Sequence, residues 1–337
     1  MRVGLFLTNQ HPVGSNMVAA LDGQIAMVHR AREYGWDSVW AGHHYLTQTV
    51  SMLQPVPFLA RLAPEAGDMT LGLGILLLAL LNPVDVAETV ASLDTVCRGR
   101  FIFGVGLGYR DAEYAACAIP RRQRLRRFEA NLQAVQRLWT EDHVDIDLPW
   151  CSGRDITLAL RPVQRPRPPL WIAADNDRAV ERAARLGDTW LINPHAAMDT
   201  IRRQLSVFRA TRQAWGLPPP SVLPAIKEVF CGPDRTRALA MAKPYLEQKY
   251  RTYAAWGQDR ALPSGESFDL PFDRLAAHRF VIGSPDECLR QLLPWRDELG
   301  VNYLIIRTHW SEMPVEAALQ SMELLSREVI PTLRQAA

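Results

Sequence analysis

Arg100-Phe101-Ile102-Phe103-Gly104-Val105-Gly106-Leu107-Gly108-Tyr109 is the stretch on which the fold turns. An apolar run of strand length ends in three alternating glycines, half of a dinucleotide-binding fingerprint. The complete G-x-G-x-x-G pattern needs a further glycine where Tyr109 stands, and no helical period opens there. A doubly wound sheet with a nicotinamide cofactor on this turn is therefore rejected. Glycines at such an exit either let a flat ligand approach the backbone or simply make a turn.

Outward from this segment, short apolar runs alternate with longer amphipathic ones. The pattern predicts strands over 3–7, 38–41, 70–78, 100–105, 170–173, 189–192, 222–230 and 303–307. Helices are predicted over 21–34, 55–66, 84–97, 122–140, 178–186, 198–215, 235–256, 285–299 and 315–333. Eight apolar strands, nearly all followed by helices, imply a parallel sheet covered by helices. That count favours an α/β fold of the (β/α)8 (TIM) barrel type, one domain over 1–337, with chemistry at the C-terminal strand ends. Residues 141–167, rich in proline and aspartate, read as an inserted loop with room for a hairpin.

Composition narrows the class. Of 337 residues 48% are hydrophobic and 22% charged, as in a chain that buries a full core, which excludes disorder and small disulfide scaffolds. A net charge of +2 leaves no electrostatic footprint for nucleic acid. Five scattered cysteines (Cys97, Cys117, Cys151, Cys231, Cys288) without a C-x-x-C pair argue against disulfides and against a zinc site; no metal is expected. The first eight residues turn polar too soon for a signal sequence, and no apolar run approaches the roughly 20 residues of a membrane span. The expectation is a cytoplasmic enzyme without a membrane partner. Only three of the basic residues are lysines, which reads as coding bias.

Candidate chemistry gathers at strand ends. His43 and His44 follow the second strand, where adjacent side chains on extended backbone point opposite ways, so one of them is expected to face the mouth as a base or hydrogen-bond donor. The alternative is a satisfied loop pair. Gly72 and Gly74 interrupt the third strand, marking either close ligand approach or room for a large neighbour such as a tryptophan. Asp175-Asn176-Asp177-Arg178 opens a helix and reads as a cap, whose free N–H groups could also hold a phosphate. The run from Arg121 to Arg127 is a solvated helix face or an anion site.

In order along the chain, Gly35-Trp36-Asp37-Ser38-Val39-Trp40, His43-His44-Tyr45, Leu71-Gly72-Leu73-Gly74-Ile75, Asn82-Pro83-Val84 and Gly99 through Gly108 form an ordered set. Ala183-Ala184-Arg185-Leu186-Gly187-Asp188 and Ile282-Gly283-Ser284-Pro285-Asp286-Glu287 complete it. This set resembles the bacterial luciferase-like family of flavin-dependent oxidoreductases over nearly the whole chain. The resemblance implies a non-proline cis peptide at Gly74–Ile75 beneath a flavin ring and a catalytic histidine at His43. It also implies cofactor contacts from Phe6, Gly106, Ala174, Asp175, Asn176 and Asn193, with Arg178 available to the phosphate. His44, Tyr109, Trp256 and Trp310 are candidates for the substrate wall, or else core residues, and 257–277 matches the position of a mobile lid. Gly42 stands where the family has a glutamate before the histidines, Leu107 where luciferases have a phosphate-binding arginine, and Ala173-Ala174 where many relatives have Gly-Gly.

The function this implies is a two-component monooxygenase. It would take reduced FMN from a separate NAD(P)H:flavin reductase, use O2 to oxygenate a small organic substrate, and work as a homodimer. The rivals are a coenzyme F420-dependent hydride-transfer enzyme on the same fold, a flavin-binding barrel with degraded catalysis, and a cofactor-free lyase or isomerase.

Overall fold

Residues 1–335 are described by the structure, a computed structural model; Ala336 and Ala337, the end of the expected 1–337 domain, lie outside the described residues. The eight strands of the barrel are β1 (Arg2–Leu7), β2 (Ser38–Ala41), β3 (Thr70–Leu73), β4 (Phe101–Gly106), β5 (Leu170–Ala174), β6 (Thr189–Ile192), β7 (Pro224–Cys231) and β8 (Tyr303–Arg307). Each pairs in parallel with the next, and β8 closes on β1 with Leu5 opposite Ile306. The closed (β/α)8 barrel follows from the sequence because buried strands leave two apolar faces, one for the interior and one for the helices.

The outer layer comprises α1 (Met17–Glu33), α2 (Pro55–Ala66), α3 (Pro83–Val96), α4 (Arg124–Thr140), α5 (Asp177–Leu186), α6 (Met198–Ala214), α7 (Arg235–Ala255), α8 (Pro285–Asp297) and α9 (Val315–Leu324). Their starts are chemically marked. Asn16 and Asn82 accept from the first free N–H groups of α1 and α3, and Ser284 with Glu287 forms a capping box on α8.

Inside the barrel, alternate residues meet as a second core: Phe6, Trp40, Ile102, Trp171, Leu191, Ile226, Tyr303 and Ile305. Trp40 stacks on Trp171 with centroids 5.0 Å apart, and Tyr303 sets its edge to both at 6.2 and 5.2 Å. Such bulk fits because the neighbouring strand β3 lacks a side chain in register with Trp40. A Cβ on Gly72 would lie 2.2 Å from the Trp40 ring, so the packing reading of Gly72 is the one realised. At Gly104 a Cβ would come within 1.7 Å of the Leu73 carbonyl oxygen.

Two expectations hold: the Gly74–Ile75 peptide is cis, as the resemblance implies, and the inserted loop contains a hairpin, Val144–Leu148 with Cys151–Ile156. Four details depart from the sequence pattern. The strand expected over 70–78 stops at Leu73, and only Leu76–Leu77 resumes pairing, against Val105 and Gly106. Asp111–Ala116 is a short helix, and Val281–Gly283 extends the sheet beside β7. The last helix contains a π turn over Leu325–Val329. No helix among the described residues is long and apolar enough to cross a membrane.

Gly104→Ala should lower stability by roughly 2–3 kcal/mol in urea unfolding, because the clash is with backbone that cannot rotate away.

Candidate active site

The strand ends open into a cavity of about 350 Å³. On its β2–β5 side the lining is small: Gly42, Gly74, Gly106, Ala173 and Ala174, with Ile75 beside them. These positions are small for a steric reason. A Cβ at Gly74 would meet the Phe6 ring at 2.7 Å, and one at Gly106 would meet Ile75 Cδ1 at 2.7 Å. Backbone and Phe6 thus form a flat cradle that any larger side chain would fill. Ala173 and Ala174, in place of Gly-Gly, still line it.

Both histidines line the cavity. The expectation that one would face away fails because β2 ends at Ala41, and beyond it the chain is no longer extended strand. Their chemistry differs. His43 is buried, and burial, then the neighbouring His44, pushes it down to about 4. Leu77 donates its backbone N–H to His43 Nδ1 at 3.2 Å. The ring is therefore neutral with its remaining proton on Nε2, a hydrogen-bond donor rather than a base at neutral pH.

His44 Nδ1 lies 2.9 Å from Glu113 Oε1, and its ring is surrounded by those of Tyr109, Trp256 and Tyr253. Glu113 is fully buried and also accepts from the Tyr45 N–H at 3.0 Å and Arg110 Nη1 at 3.2 Å. Burial alone would raise its carboxyl; the bonds from His44 and Tyr45 and the charge of Arg110 outweigh that and hold it below the usual range. A carboxylate on Nδ1 leaves His44 Nε2 to exchange a proton. Glu113 went unseen in the sequence. Its signal was an acidic residue in the first turn of a short helix following a barrel strand.

The proposed substrate wall divides. Tyr109 lines the cavity with its hydroxyl buried and unpartnered, and Tyr253, packed beside it, accepts from Gln10 at 3.2 Å. Trp256 stands behind His44, stacked on Tyr253 at 5.4 Å with Arg110 over its ring. Trp310 is fully buried outside the cavity lining, its indole N–H donated to Glu228 Oε2 at 2.7 Å. Sequence alone could not separate these two from wall residues, because an aromatic reads alike in either place.

At the far edge, Asn176 caps α5 by accepting from the Ala179 N–H, and Asn193 donates to Asp175 Oδ1 at 2.7 Å and to the Ala174 carbonyl. Burial pushes the Asp175 carboxyl up to about 7. Arg121, Arg124, Arg182 and Arg260 line this edge. Arg178 does not; it lies in an adjoining surface depression with Arg122, beyond the shared Arg124 and Arg182. Leu107 leaves its position without charge, and these arginines bring charge to the same edge from other elements.

A sequence model described as luciferase-like monooxygenase matches residues 1–303. The oxygenase component of flavin-dependent trigonelline monooxygenase of Acinetobacter baylyi is 24% identical, covering 93% of this chain and 90% of the relative. The F420-dependent glucose-6-phosphate dehydrogenase of Amycolatopsis mediterranei is 25% identical, covering 90% and 92%. The crystal structure of monooxygenase RslO1 from Streptomyces bottropensis superposes with a TM-score of 0.88 at 23% identity, covering 98% of this chain and 99% of that one.

The depressed His43 sets an acid limit. The unfolded chain takes its proton near pH 6.5 and the folded one only near 4, so this contribution is full above 6.5 and is lost as pH falls toward 4. His43→Asn, whose amide oxygen can still accept from Leu77, should reduce the loss of stability between pH 7.5 and 4.5 by about 2 kcal/mol in denaturant titrations.

Proposed function

The chain belongs to the luciferase-like monooxygenase family of oxidoreductases, and from that premise we propose that it is the oxygenase of a two-component system. Reduced FMN would come from a separate NAD(P)H:flavin reductase, and O2 and a small organic substrate would complete the reaction. The observation that carries this reading is the small-residue cradle of Gly42, Gly74, Gly106, Ala173 and Ala174, opening onto an arginine edge. It fits a flat ring with an anionic phosphate tail. Phe6, Gly74, Ile75, Gly106 and Ala174 would hold the ring; Asn176, Arg124 and Arg182 would take the phosphate end, with Asn193 holding Asp175 and the Ala174 carbonyl in place beside it.

Bound reduced FMN supplies the electrons that activate O2, so that one oxygen atom enters the substrate and the other leaves as water. The protein's own part is positional and acid–base. His43 offers a fixed Nε2–H as donor, and its neutral state keeps positive charge away from the ring. His44 exchanges a proton at Nε2 while Glu113 holds Nδ1. Residues 257–277 act as the lid: Gly257, Gln258, Arg260 and Ala261 border the cavity, and Glu266 pairs with Arg279 to tie the segment down. Closing it excludes water from a site where stray protons would waste reductant.

One observation favours a second reading. The arginines continue past the cavity into the adjoining depression, with Arg122 and Arg178, offering more charge than one phosphate requires. A longer polyanionic tail, as on coenzyme F420, would use that extension, and hydride transfer would then replace oxygenation.

Anaerobic titration with reduced FMN and reduced F420 decides between them: tight reduced-FMN binding that changes the rate of its oxidation on aeration relative to free reduced FMN supports the first, F420 binding without FMN binding the second. Arg124→Met should weaken reduced FMN about tenfold while leaving reduced riboflavin, which lacks the phosphate, unchanged. Glu113→Gln should lower kcat on the order of a hundredfold with little effect on flavin affinity, measured by O2 uptake against flavin titration.

A further inference from the structure

The cavity mouth has two unlike halves. The β2–β5 half is small, uncharged and continuous with the arginine edge, and it suits the cofactor ring. The opposite half, formed by β7, β8 and β1, carries a buried charge cluster that the proposed function leaves unused. Glu228 on β7 sits opposite Arg307 on β8 in the strand register. Its Oε1 receives Lys249 from α7 and Arg307 Nη1 at 3.2 Å, and its Oε2 receives the Trp310 indole. All three charged groups are buried.

Two basic groups therefore share one carboxylate, which already accepts three hydrogen bonds. Burial, then the charge of Arg307, pushes Lys249 down to about 7. Arg307 is the cluster's face on the cavity: it lines the wall, lies over the Phe6 ring at 4.0 Å, and keeps its Nε buried without a partner. A buried donor left unsatisfied costs more than a hydrogen bond returns, and a buried guanidinium prefers a second anion. Two further unpartnered polar atoms belong to cavity-lining rings, Tyr109 Oη and His195 Nδ1. Tyr253 and His195 give this space aromatic walls, and His44 and Tyr109 reach over it from the strand ends of the other half.

We propose that Arg307 is the specificity-determining residue of the substrate half, and that the substrate is an aromatic acid whose carboxylate it binds. The assignment rests on the proposed function in that the other half must be left for the cofactor. Phe6 serves both halves, its edge against the Gly74 backbone and its face under Arg307. The acid's charge completes the cluster, with two cations then facing two carboxylates. The ring lies among the tyrosines and histidines, and a bidentate guanidinium contact fixes its orientation.

The test is anaerobic calorimetric titration of the full chain, with and without reduced FMN. The ligands are benzoate, 4-hydroxybenzoate and phenylacetate, each paired with its primary amide. At least one acid should bind ten times more tightly than its amide. Arg307→Met should erase that preference, Arg307→Lys retain part of it, and Glu228→Gln, which removes the competing carboxylate, strengthen it. In Arg307→Met the Glu228 carboxylate keeps Lys249 and Trp310 as partners, and Glu228→Gln gives an independent reading should that variant not fold. Acids binding no better than their amides would overturn the proposal. So would an Arg307→Met variant that weakens reduced FMN and leaves the acids alone, since Arg307 would then belong to the cofactor. An Arg307-dependent acid preference in a chain that binds no FMN would sink the monooxygenase reading and leave the acid site standing.

Discussion

Trp40 stacked on Trp171 in the middle of the barrel is the contact on which the remaining geometry depends. An eight-stranded barrel must fill its interior with side chains. Here two indoles and Tyr303 do so, at the expense of a side chain on the strand beside Trp40. Gly72 is the consequence, yielding to the Trp40 ring, while Gly104 leaves room for the Leu73 carbonyl of the neighbouring β3. With the lower interior plugged, the strand ends above it carry Gly42, Gly74 and Gly106 and open as a cavity. The same residue type thus serves packing at one level and ligand access at the next.

Polarity around the mouth follows the strand order. Strands β2 to β5 contribute backbone and methyl groups, and the arginines beyond β4 and β5 supply charge at a distance from the ring. Strands β7 and β8 contribute Glu228 and Arg307 directly. Buried charges of this kind are costly unless paired, so a cluster with an extra cation is poor evidence for stability and better evidence for a partner that arrives with the substrate. Helix α7 ties this half together, since Lys249 and Tyr253 lie one turn apart and reach the cluster and the cavity respectively.

Strand and helix order was legible because buried parallel strands repeat a strong apolar signal, and β2, β6 and β8 match the sequence pattern residue for residue. The third strand was over-extended because leucines continue past Leu73, and composition does not reveal that the chain turns at Gly74–Ile75. Within the site, residues adjacent to strand ends could be named in advance: Phe6, His43, His44, Tyr109 and Asn193 all line the cavity. Residues that reach it across sequence distance could not. Glu113 meets His44 from 69 positions away, and Lys249 meets Glu228 from 21 away on another element. Trp310 failed in the opposite sense, since an indole needing a hydrogen-bond partner found it in the core.

The departures from the family pattern at Gly42 and Leu107 look, on sequence alone, like loss of function. The structure gives each a physical counterpart. At Gly42 a Cβ would stand 3.4 Å from the Phe6 ring and 3.3 Å from the Gly74 carbonyl, so it would touch both and need the carbonyl to give by a few tenths of an ångström. The carboxylate absent at 42 is present at Glu113, 2.9 Å from His44, buried and held ionised by three donors. The charge absent at 107 is present at the same edge in Arg124 and Arg182. Each buried ionic group costs desolvation energy that its partners must offset. Around this cavity the cost is met twice, by Glu113 with Arg110 and His44 and by Glu228 with Lys249 and Arg307, and in each cluster one member, His44 or Arg307, lines the cavity.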